Sequence, residues 1–444
     1  MAWYKDKILW TIIAVAGAIK CAMLLYLYFF GPLGEEVLVF PDSLTYVYPA
    51  QTLLTYGQLW EAVSVNPLLL RTPGYPVFLA FIQLISGNMT WAVAVVQNIL
   101  SLALLLPVYL TARRLATVTA ARWSAAFCAA SVLYFSLSFA VLTEVACVFL
   151  LAWFIFLTVR WVQEFHARDL FGAALLLTAA VYVRPAAYYF VPVACLFFFA
   201  LGVWKKSAVP VKQTLLYFLA PSVLLIGAWQ VRNFYQTGYS GFTSVGAYNL
   251  YIWNEDFVAK EKQISVAQAH DILEKNLPDN FEKLSVKTQV QTYKKLAAPL
   301  LKQSWKYKLS RVPVWAGKVL LGTNHVHLSR LIFGQADEPE KALNQTSALP
   351  KAWLITGTEK ILFLLAFLQV MSVVLLGIIG LVSLCKTQPI TAIFFVVYMG
   401  YFWAISSTFL GAYARFRAPF EIVLCIGAGI AVATYLSPLK TNNR

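Results

Sequence analysis

The sequence feature that most limits the fold of this chain is a series of apolar runs spread along its length. A helix needs roughly 20 consecutive apolar residues to cross the hydrocarbon core of a bilayer, and most of the runs approach that length. The 444 residues are 60% hydrophobic and 12% charged, whereas soluble domains carry about twice that charged fraction. We therefore predict an all-α polytopic membrane protein with about ten transmembrane helices. The predicted spans are residues 8–30, 90–110, 121–141, 145–161, 170–182, 187–203, 215–230, 361–384, 390–410 and 419–436.

The distribution of basic residues predicts the orientation of these spans. The formal net charge is +15, and the short loops and termini on one side carry Lys or Arg, as cytoplasmic loops do. Both termini are therefore expected in the cytoplasm and the long polar stretch 231–359 outside. This rule accounts for the charge, so we expect no nucleic-acid partner. We expect a monomer in a bacterial inner membrane, with its active site facing the periplasm.

The chain divides into three predicted regions. Residues 1–230 form an N-terminal transmembrane module whose first outer loop, 31–89, is the catalytic part. Residues 231–359 form an outer region with amphipathic helices, and residues 360–444 form the C-terminal transmembrane helices.

The first outer loop carries signals for two short helices on the outer membrane surface. Pro41-Asp42-Ser43 is a helix-start signal, and Gly57 is typical of a helix C-cap. The apolar run that follows Pro76 and ends at Ile85 is too short to span, because runs of about 10–14 residues are more often interfacial or re-entrant. We therefore place two juxtamembrane helices between residues 42 and 86.

Several charged residues that lie far apart in sequence fall at the outer ends of the predicted spans, which suggests one shared site. They are Asp42, Glu144, Arg184, Arg232, Arg415 and Arg417. Some also have a structural explanation: Asp42 could cap its helix, Glu144 could be a first-turn acid, and Arg415 and Arg417 could meet lipid headgroups. Lys20, inside the first span, is either functional or a residue that snorkels or pairs within the bundle.

Cysteine and histidine patterns give no metal or disulfide motif. The six cysteines include no CxxC pair, and the four histidines include no HExxH; the cysteines are typical of small packing residues. His325 and His327 are assigned to a polar loop. Asp42 and Glu144 offer hard oxygen ligands that could hold a divalent cation, although the sequence does not require one, and no other cofactor is expected.

The order of the motifs resembles the glycosyltransferase C superfamily, in particular the branch of protein O-mannosyltransferases and lipid A aminoarabinose transferases. Asp42 followed by Tyr46, Ala50, Gly57 and the Arg71-Thr72-Pro73-Gly74-Tyr75-Pro76 corner looks like the first-loop pattern of that branch. Leu142-Thr143-Glu144 is similar to its second acidic position, and Val183-Arg184-Pro185 and Trp229-Gln230-Val231-Arg232-Asn233 to its later helix ends. Ala414-Arg415-Phe416-Arg417-Ala418-Pro419 is similar to its terminal arginine motif. The chain lacks the adjacent Asp-Glu pair of the mannosyltransferases, since Ser43 follows Asp42.

The resemblance implies an inverting glycosyltransferase that moves a sugar from a polyprenyl-phosphate donor to a lipid, glycan or protein acceptor. Asp42 would be the general base, because a carboxylate can accept the proton of the acceptor hydroxyl, with Glu144 as its helper. Cationic groups would stabilise the leaving phosphate, and these would be Arg184, Arg415 and Arg417, with Arg71 and Arg232 as further candidates. We place Tyr46, Tyr75 and Lys20 in the substrate pocket.

Two other functions fit parts of the sequence. A transporter or flippase for a lipid-linked saccharide would explain the spans and Lys20, but such proteins often show internal repeats, and none is convincing here. An O-antigen polymerase or ligase would share the large late outer loop but not the Asp42 motif set. Release of polyprenyl phosphate would support the glycosyltransferase alone.

Overall fold

The fold is all-helical in a computed structural model that describes residues 3–61, 67–204, 208–334, 357–408 and 413–436. The only extended pairing in those ranges is an isolated bridge between Trp60 and Pro67. The described α-helices, in chain order, are α1 (Lys7–Phe30), α2 (Pro41–Tyr56), α3 (Gly74–Ser86), α4 (Thr90–Ala103), α5 (Leu105–Leu115), α6 (Val118–Ala129), α7 (Val132–Leu137), α8 (Glu144–Glu164), α9 (Ala167–Val183), α10 (Phe190–Trp204), α11 (Ala208–Gln213), α12 (Ala220–Thr237), α13 (Val245–Ile252), α14 (Glu255–Lys262), α15 (Val266–Lys275), α16 (Val286–Leu321), α17 (His325–Phe333), α18 (Gly357–Thr387), α19 (Pro389–Thr408) and α20 (Ala418–Ala431).

Eight helical segments of the described chain are long and apolar enough to cross a membrane, against about ten predicted from the apolar runs. The predicted span 121–141 is not one helix: α6 ends at Ala129, the short α7 follows, and the chain from Ser138 to Thr143 is not helical. The predicted span 170–182 lies in α9, which has 17 residues and is about 26 Å long at 1.5 Å per residue. The eight segments are Lys7–Phe30, Thr90–Leu115, Glu144–Glu164, Pro185–Trp204, Val211–Thr237, Gly357–Thr387, Pro389–Ser407 and Ala414–Tyr435.

The last membrane helix, α20, lies at the centre of the bundle, since every one of its 14 residues is buried. Glycines let its backbone approach α18: a Cβ on Gly377 would meet the carbonyl oxygen of Leu424 at 2.9 Å, and one on Gly380 would overlap the carbonyl of Gly427. In a bilayer the hydrophobic effect does not drive helices together, and small residues such as these let membrane helices pack closely instead. By contrast, α1 exposes Val15, Ile19 and Leu25, as expected of a helix that faces lipid.

The non-helical stretch between α7 and α8, which we call the 138–143 segment, is fully buried. Irregular backbone at membrane depth requires protein partners for its polar groups, and three contacts supply them. Val141 N donates to Leu38 O (2.9 Å), Ser43 Oγ donates to Val141 O (2.8 Å), and Gln97 Nε2 donates to Ala140 O (2.5 Å). The first loop is thereby fastened to the residues that lead into Glu144.

The predicted outer region is more ordered than its weak helical pattern indicated. Helix α12 continues to Thr237 before the chain turns, and α16 is one 36-residue helix. Helices α13 to α16 share a small apolar core that includes Tyr251, Leu273 and Ala297. The predicted boundaries of the three regions are not tested by these contacts and stay predictions.

Candidate active site

Asp42 lies in the first turn of α2, and its carboxylate points away from the helix. Phe40 is the N-cap residue, and the backbone N–H of Phe40 is bound by Ser43 Oγ at 2.9 Å. Ser43 thus performs the capping, and the alternative that Asp42 caps its helix is wrong. Instead, Asp42 Oδ1 accepts a hydrogen bond from Arg71 Nη2 and Asp42 Oδ2 accepts one from Arg415 Nη2, each at 2.8 Å.

The corner that carries Arg71 is held against the end of α9. Thr72 Oγ1 donates to Val183 O at 3.1 Å, and a Cβ at Gly74 would lie only 2.7 Å from the carbonyl of Tyr182. Only glycine permits this approach, so the Thr-Pro-Gly sequence fixes where Arg71 emerges.

The Arg71 side chain is itself held in place on α2. Its Nε donates to Thr45 Oγ1 at 2.9 Å, and its guanidinium lies 4.9 Å from the ring centroid of Tyr46. Tyr46 therefore contacts Arg71 through the face of its ring, in the geometry of a cation–π interaction.

Glu61 fixes the backbone that precedes Arg71. One oxygen of its carboxylate accepts from the N–H groups of Leu69 (2.9 Å) and Leu70 (2.7 Å). Thr243 Oγ1, from the chain after α12, donates to the carbonyls of the same two residues at 2.8 and 2.9 Å. Neither Glu61 nor Thr243 stands out in the sequence as a site residue, because both bind backbone groups, which lie 8 and 9 positions away for Glu61 and 174 and 173 positions away for Thr243.

Glu144 and Arg184 complete the cluster. Glu144 is the first residue of α8, and Arg184 follows the last residue of α9. Glu144 Oε1 lies 2.7 Å from Arg184 Nη1 and 3.9 Å from Arg415 Nη1, and Arg184 Nη1 also donates to Thr143 Oγ1 at 2.9 Å. We call Asp42, Glu144, Arg71, Arg184 and Arg415 the five-residue cluster.

The electrostatics of the five-residue cluster favour an anion. Three guanidinium groups against two carboxylates leave one positive charge (3 − 2 = 1). The side chain of Asp42 is 35% exposed, whereas that of Glu144 is 4% exposed, so the cluster is open to solvent on the Asp42 side. Burial alone would raise the pKa of Asp42, but the charges and hydrogen bonds of Arg415 and Arg71 outweigh it and hold that pKa well below its usual value.

Arg417 does not join the cluster. Residues 414–417 form a 3-10 turn, in which residues two apart point to different sides, so Arg415 and Arg417 do not face the same way. Arg417 is 1% exposed, and its Nε donates to Glu421 at 2.7 Å. Its Nη1 donates to three carbonyls at the end of α16, those of Val319 (3.4 Å), Leu320 (3.0 Å) and Gly322 (2.7 Å).

Two further predicted site residues also have other partners. Arg232 Nη1 donates to Leu68 O at 3.1 Å and its guanidinium lies 4.5 Å from the ring centroid of Trp229. Tyr75 is completely buried and donates through its hydroxyl to Gln97 Oε1 at 3.1 Å. Tyr75 reaches the site only indirectly, through its edge-on contact with the ring of Tyr46.

Lys20 pairs within the bundle, and the structure does not bring it to the cluster. It is 4% exposed, and its Nζ donates to Ser138 Oγ (2.7 Å) and Asn98 Oδ1 (3.2 Å). Asn98 Nδ2 in turn donates to Ser138 O at 3.1 Å. Lys20 thus holds the start of the 138–143 segment, which ends beside Glu144.

A divalent cation at Asp42 and Glu144 stays a prediction. Both carboxylates contact guanidinium groups, which compete with a cation for the same oxygens. Elsewhere in the described chain, Glu164, His166 and Asp169 lie close enough together to hold an ion. Two of these are paired with arginines, Glu164 with Arg114 (2.6 Å) and Asp169 with Arg160 (3.1 Å).

One segment of the chain matches a known family. Residues 70–229 match the model of a glycosyltransferase family described as "Dolichyl-phosphate-mannose-protein mannosyltransferase". The matched segment contains Arg71, Glu144 and Arg184. For this segment, the match agrees with the resemblance to protein O-mannosyltransferases that the motifs indicated. A comparison with curated protein sequences gives no match.

Solved archaeal structures share the fold. The chain is similar to the oligosaccharyltransferase of Archaeoglobus fulgidus in its apo form (TM-score 0.53, 12% identity, 98% of this chain and 51% of that chain). It is also similar to the same organism's AglB in complex with an inhibitory peptide and a dolichol-phosphate (TM-score 0.50, 13% identity, 97% and 51%). ArnT from Cupriavidus metallidurans bound to undecaprenyl phosphate aligns at TM-score 0.37 with 14% identity over 93% of this chain and 77% of that chain. The chain spans about half the length of the archaeal structures.

Proposed function

We propose that this chain is an inverting glycosyltransferase that transfers a sugar from a polyprenyl-phosphate donor to a hydroxyl of a lipid, glycan or protein acceptor. The observation that carries the proposal is the five-residue cluster: two carboxylates and three arginines, drawn from four distant parts of the chain, with a positive charge left over. The family match of residues 70–229 supports a donor of this class.

The donor phosphate would bind to the arginines. Guanidinium groups bind phosphate with paired, charge-assisted hydrogen bonds, and the surplus positive charge of the cluster favours a group that gains negative charge as it leaves. Arg415 is the central candidate because it lies between the two carboxylates, 2.8 Å from Asp42 and 3.9 Å from Glu144. Arg184 and Arg71 flank it.

Asp42 would serve as the general base. With both of its oxygens bound by arginines and its pKa held low, it is a weak base until one arginine leaves. A bound phosphate competes with Asp42 for Arg415, so donor binding would release one carboxylate oxygen and raise the pKa of Asp42. The base would then become effective only when the donor is in place.

The residues of the cluster are sufficient for the transfer step. The acceptor oxygen attacks the anomeric carbon while its proton passes to Asp42, and the bond between that carbon and the phosphate oxygen breaks. The leaving group is polyprenyl phosphate, whose new charge is stabilised by Arg415 and Arg184. Glu144 holds Arg184 at 2.7 Å and so acts as a positioning residue in this scheme.

The basic short loops support an orientation in which the cluster faces the outside of a bacterial inner membrane. In that orientation α2 and α3 lie at the outer surface.

The test is an assay of the purified protein with polyprenyl-phosphate sugars and a mixture of lipid, glycan and peptide acceptors. We expect release of polyprenyl phosphate that depends on the acceptor. Movement of an intact lipid-linked saccharide across a vesicle membrane without release would contradict the proposal and favour a transporter. Joining of glycans with release of a polyprenyl diphosphate would favour a polymerase.

A further inference from the structure

His327 is a buried histidine that sequence analysis assigned to a polar loop. It lies instead in α17 and is 5% exposed. Its ring lies on Phe40, with the two ring centroids 4.5 Å apart, and Phe40 is two residues before Asp42. Burial, with the nearby charges of Arg415 and Arg330, lowers the pKa of His327 to about 3, so the imidazole is neutral at physiological pH.

The contacts of α17 fix His327 against the lead-in to Asp42. Arg330 Nη2 donates to the carbonyls of Glu36 (2.9 Å) and Val39 (3.2 Å), and its guanidinium lies 4.6 Å from the ring centroid of Phe40. At the other end, Asn324 Nδ2 donates to Ser136 Oγ at 2.7 Å. The helix is thus tied to both chain segments that carry the acidic residues of the site.

One ring nitrogen of His327 has no partner among the described residues. Its Nδ1 is inaccessible to solvent and makes no hydrogen bond, and the Phe40 ring on which the imidazole lies belongs to the N-cap residue of the helix that carries Asp42. Leaving a buried polar atom unpaired costs about 1–3 kcal/mol, so such an atom in a native fold needs an explanation, of which a functional role is one.

We propose that His327 is a substrate-binding residue, whose Nδ1 hydrogen-bonds an uncharged hydroxyl group of a sugar substrate next to the five-residue cluster. This inference rests on the proposed function. A neutral imidazole provides one donor and one acceptor, which suits a hydroxyl, whereas the phosphate already has three arginines available to it. The hydroxyl comes either from the sugar of the donor or from the acceptor.

His327→Phe is the first test variant, because phenylalanine keeps a ring on Phe40 and removes both nitrogens. His325→Phe is the matched control: it lies on the same helix, and its Nδ1 already pairs with Thr323 Oγ1 at 2.6 Å. We expect His327→Phe to lower kcat/KM for transfer by roughly 10-fold to 100-fold, the loss of one or two hydrogen bonds, equally at pH 6 and pH 8. His325→Phe should change kcat/KM by less than about 3-fold.

Kinetics separate the two sources of the hydroxyl. Weaker binding of the polyprenyl-phosphate sugar, with unchanged binding of polyprenyl phosphate alone, would assign the contact to the donor sugar. A higher KM for the acceptor only would assign it to the acceptor. Either result supports the proposal, and unchanged kinetics in a folded His327→Phe variant overturns it.

A second pair of variants keeps the test decisive if His327→Phe does not fold. The amide of Asn reaches the position of Nδ1, whereas that of Gln reaches the position of Nε2. His327→Asn should therefore retain more activity than His327→Gln, and the opposite order would overturn the proposal. A wild-type protein that releases no polyprenyl phosphate would contradict the proposed function itself, a result independent of any His327 variant.

Discussion

Arg415 donates a hydrogen bond of 2.8 Å to Asp42 across 373 positions of sequence. The same guanidinium lies 3.9 Å from Glu144, so a single arginine from the lead-in to the last membrane helix contacts the acidic residues of both the first loop and α8. Arg415 thus links the first loop to α8. Any ligand that draws Arg415 away changes the state of Asp42 as well, which makes their pairing the central feature of the site.

The first prediction concerns the pH dependence of catalysis in Arg71→Met. Arg71 is one of two guanidiniums that lower the pKa of Asp42, so its removal raises that pKa toward the usual value for aspartate. The base works only when it is deprotonated, so the acid limb of the plot of kcat/KM against pH should move to higher pH. We use kcat/KM because its pH dependence reports the pKa values of the free enzyme.

Arg232→Met is the control for this shift, since it removes a guanidinium that packs on Trp229 and does not contact Asp42. Its acid limb should stay at the wild-type position. An Arg71→Met profile that coincides with the wild-type profile would mean that Asp42 is not the titrating base.

The second prediction is that Arg417 stabilises the folded protein. Arg417→Met leaves Glu421, which is 1% exposed, without its ion-pair partner, and breaking a buried ion pair by removing one member costs about 3–5 kcal/mol. We expect a clearly lower thermal midpoint in detergent. The double variant Arg417→Met with Glu421→Gln should recover part of the loss. A normal midpoint together with lost donor binding would instead indicate that Arg417 binds the donor phosphate.

The third prediction concerns Lys20. Lys20→Met removes the donor to Ser138 Oγ and Asn98 Oδ1. Asn98 Oδ1 still accepts from Ser138 Oγ, but Ser138 Oγ loses its own donor, and leaving a buried acceptor unpaired costs about 1–3 kcal/mol. Because the 138–143 segment leads into Glu144, we expect both a lower thermal midpoint and a lower kcat. Lys7→Met, at an exposed position of the same helix, should alter neither. A stable and fully active Lys20→Met would show that the segment is held without the lysine.

The sequence predicts those parts of the site that depend on local signals. The start of α2 is marked by Pro41 and Asp42, which together are a helix-start signal. Its end is marked by Gly57, which readily adopts the left-handed conformation of a C-cap. The helix lies where these signals predict it. Arg184-Pro185 likewise marks the end of α9. These features need no knowledge of distant partners.

The remaining features depend on contacts between distant residues. Whether Arg415 or Arg417 faces Asp42 is decided by the 3-10 turn at residues 414–417 and by the end of α16, which provides acceptors for Arg417. The break at Ser131 within the predicted span 121–141 is stabilised by Glu421, a hydrogen-bond partner 290 positions away. His327 looks polar in sequence, yet α17 buries it.

The fourth prediction tests the central claim, that Asp42 is the general base of a glycosyl transfer. Asp42→Asn preserves size and the hydrogen-bond acceptor toward Arg71 or Arg415 but removes the negative charge and the ability to accept a proton. Ser43, and not Asp42, caps α2, so the variant should fold, and binding of polyprenyl phosphate should persist because it depends on the arginines.

The decisive measurement is the single-turnover rate of polyprenyl-phosphate release by Asp42→Asn with saturating donor and acceptor, beside Asp271→Asn, which removes an exposed acid of α15. We expect a rate lower by roughly 10²–10⁴-fold for Asp42→Asn, the usual size of a general-base contribution, and an unchanged rate for Asp271→Asn. Release by Asp42→Asn at close to the wild-type rate would contradict the role of Asp42 as the general base.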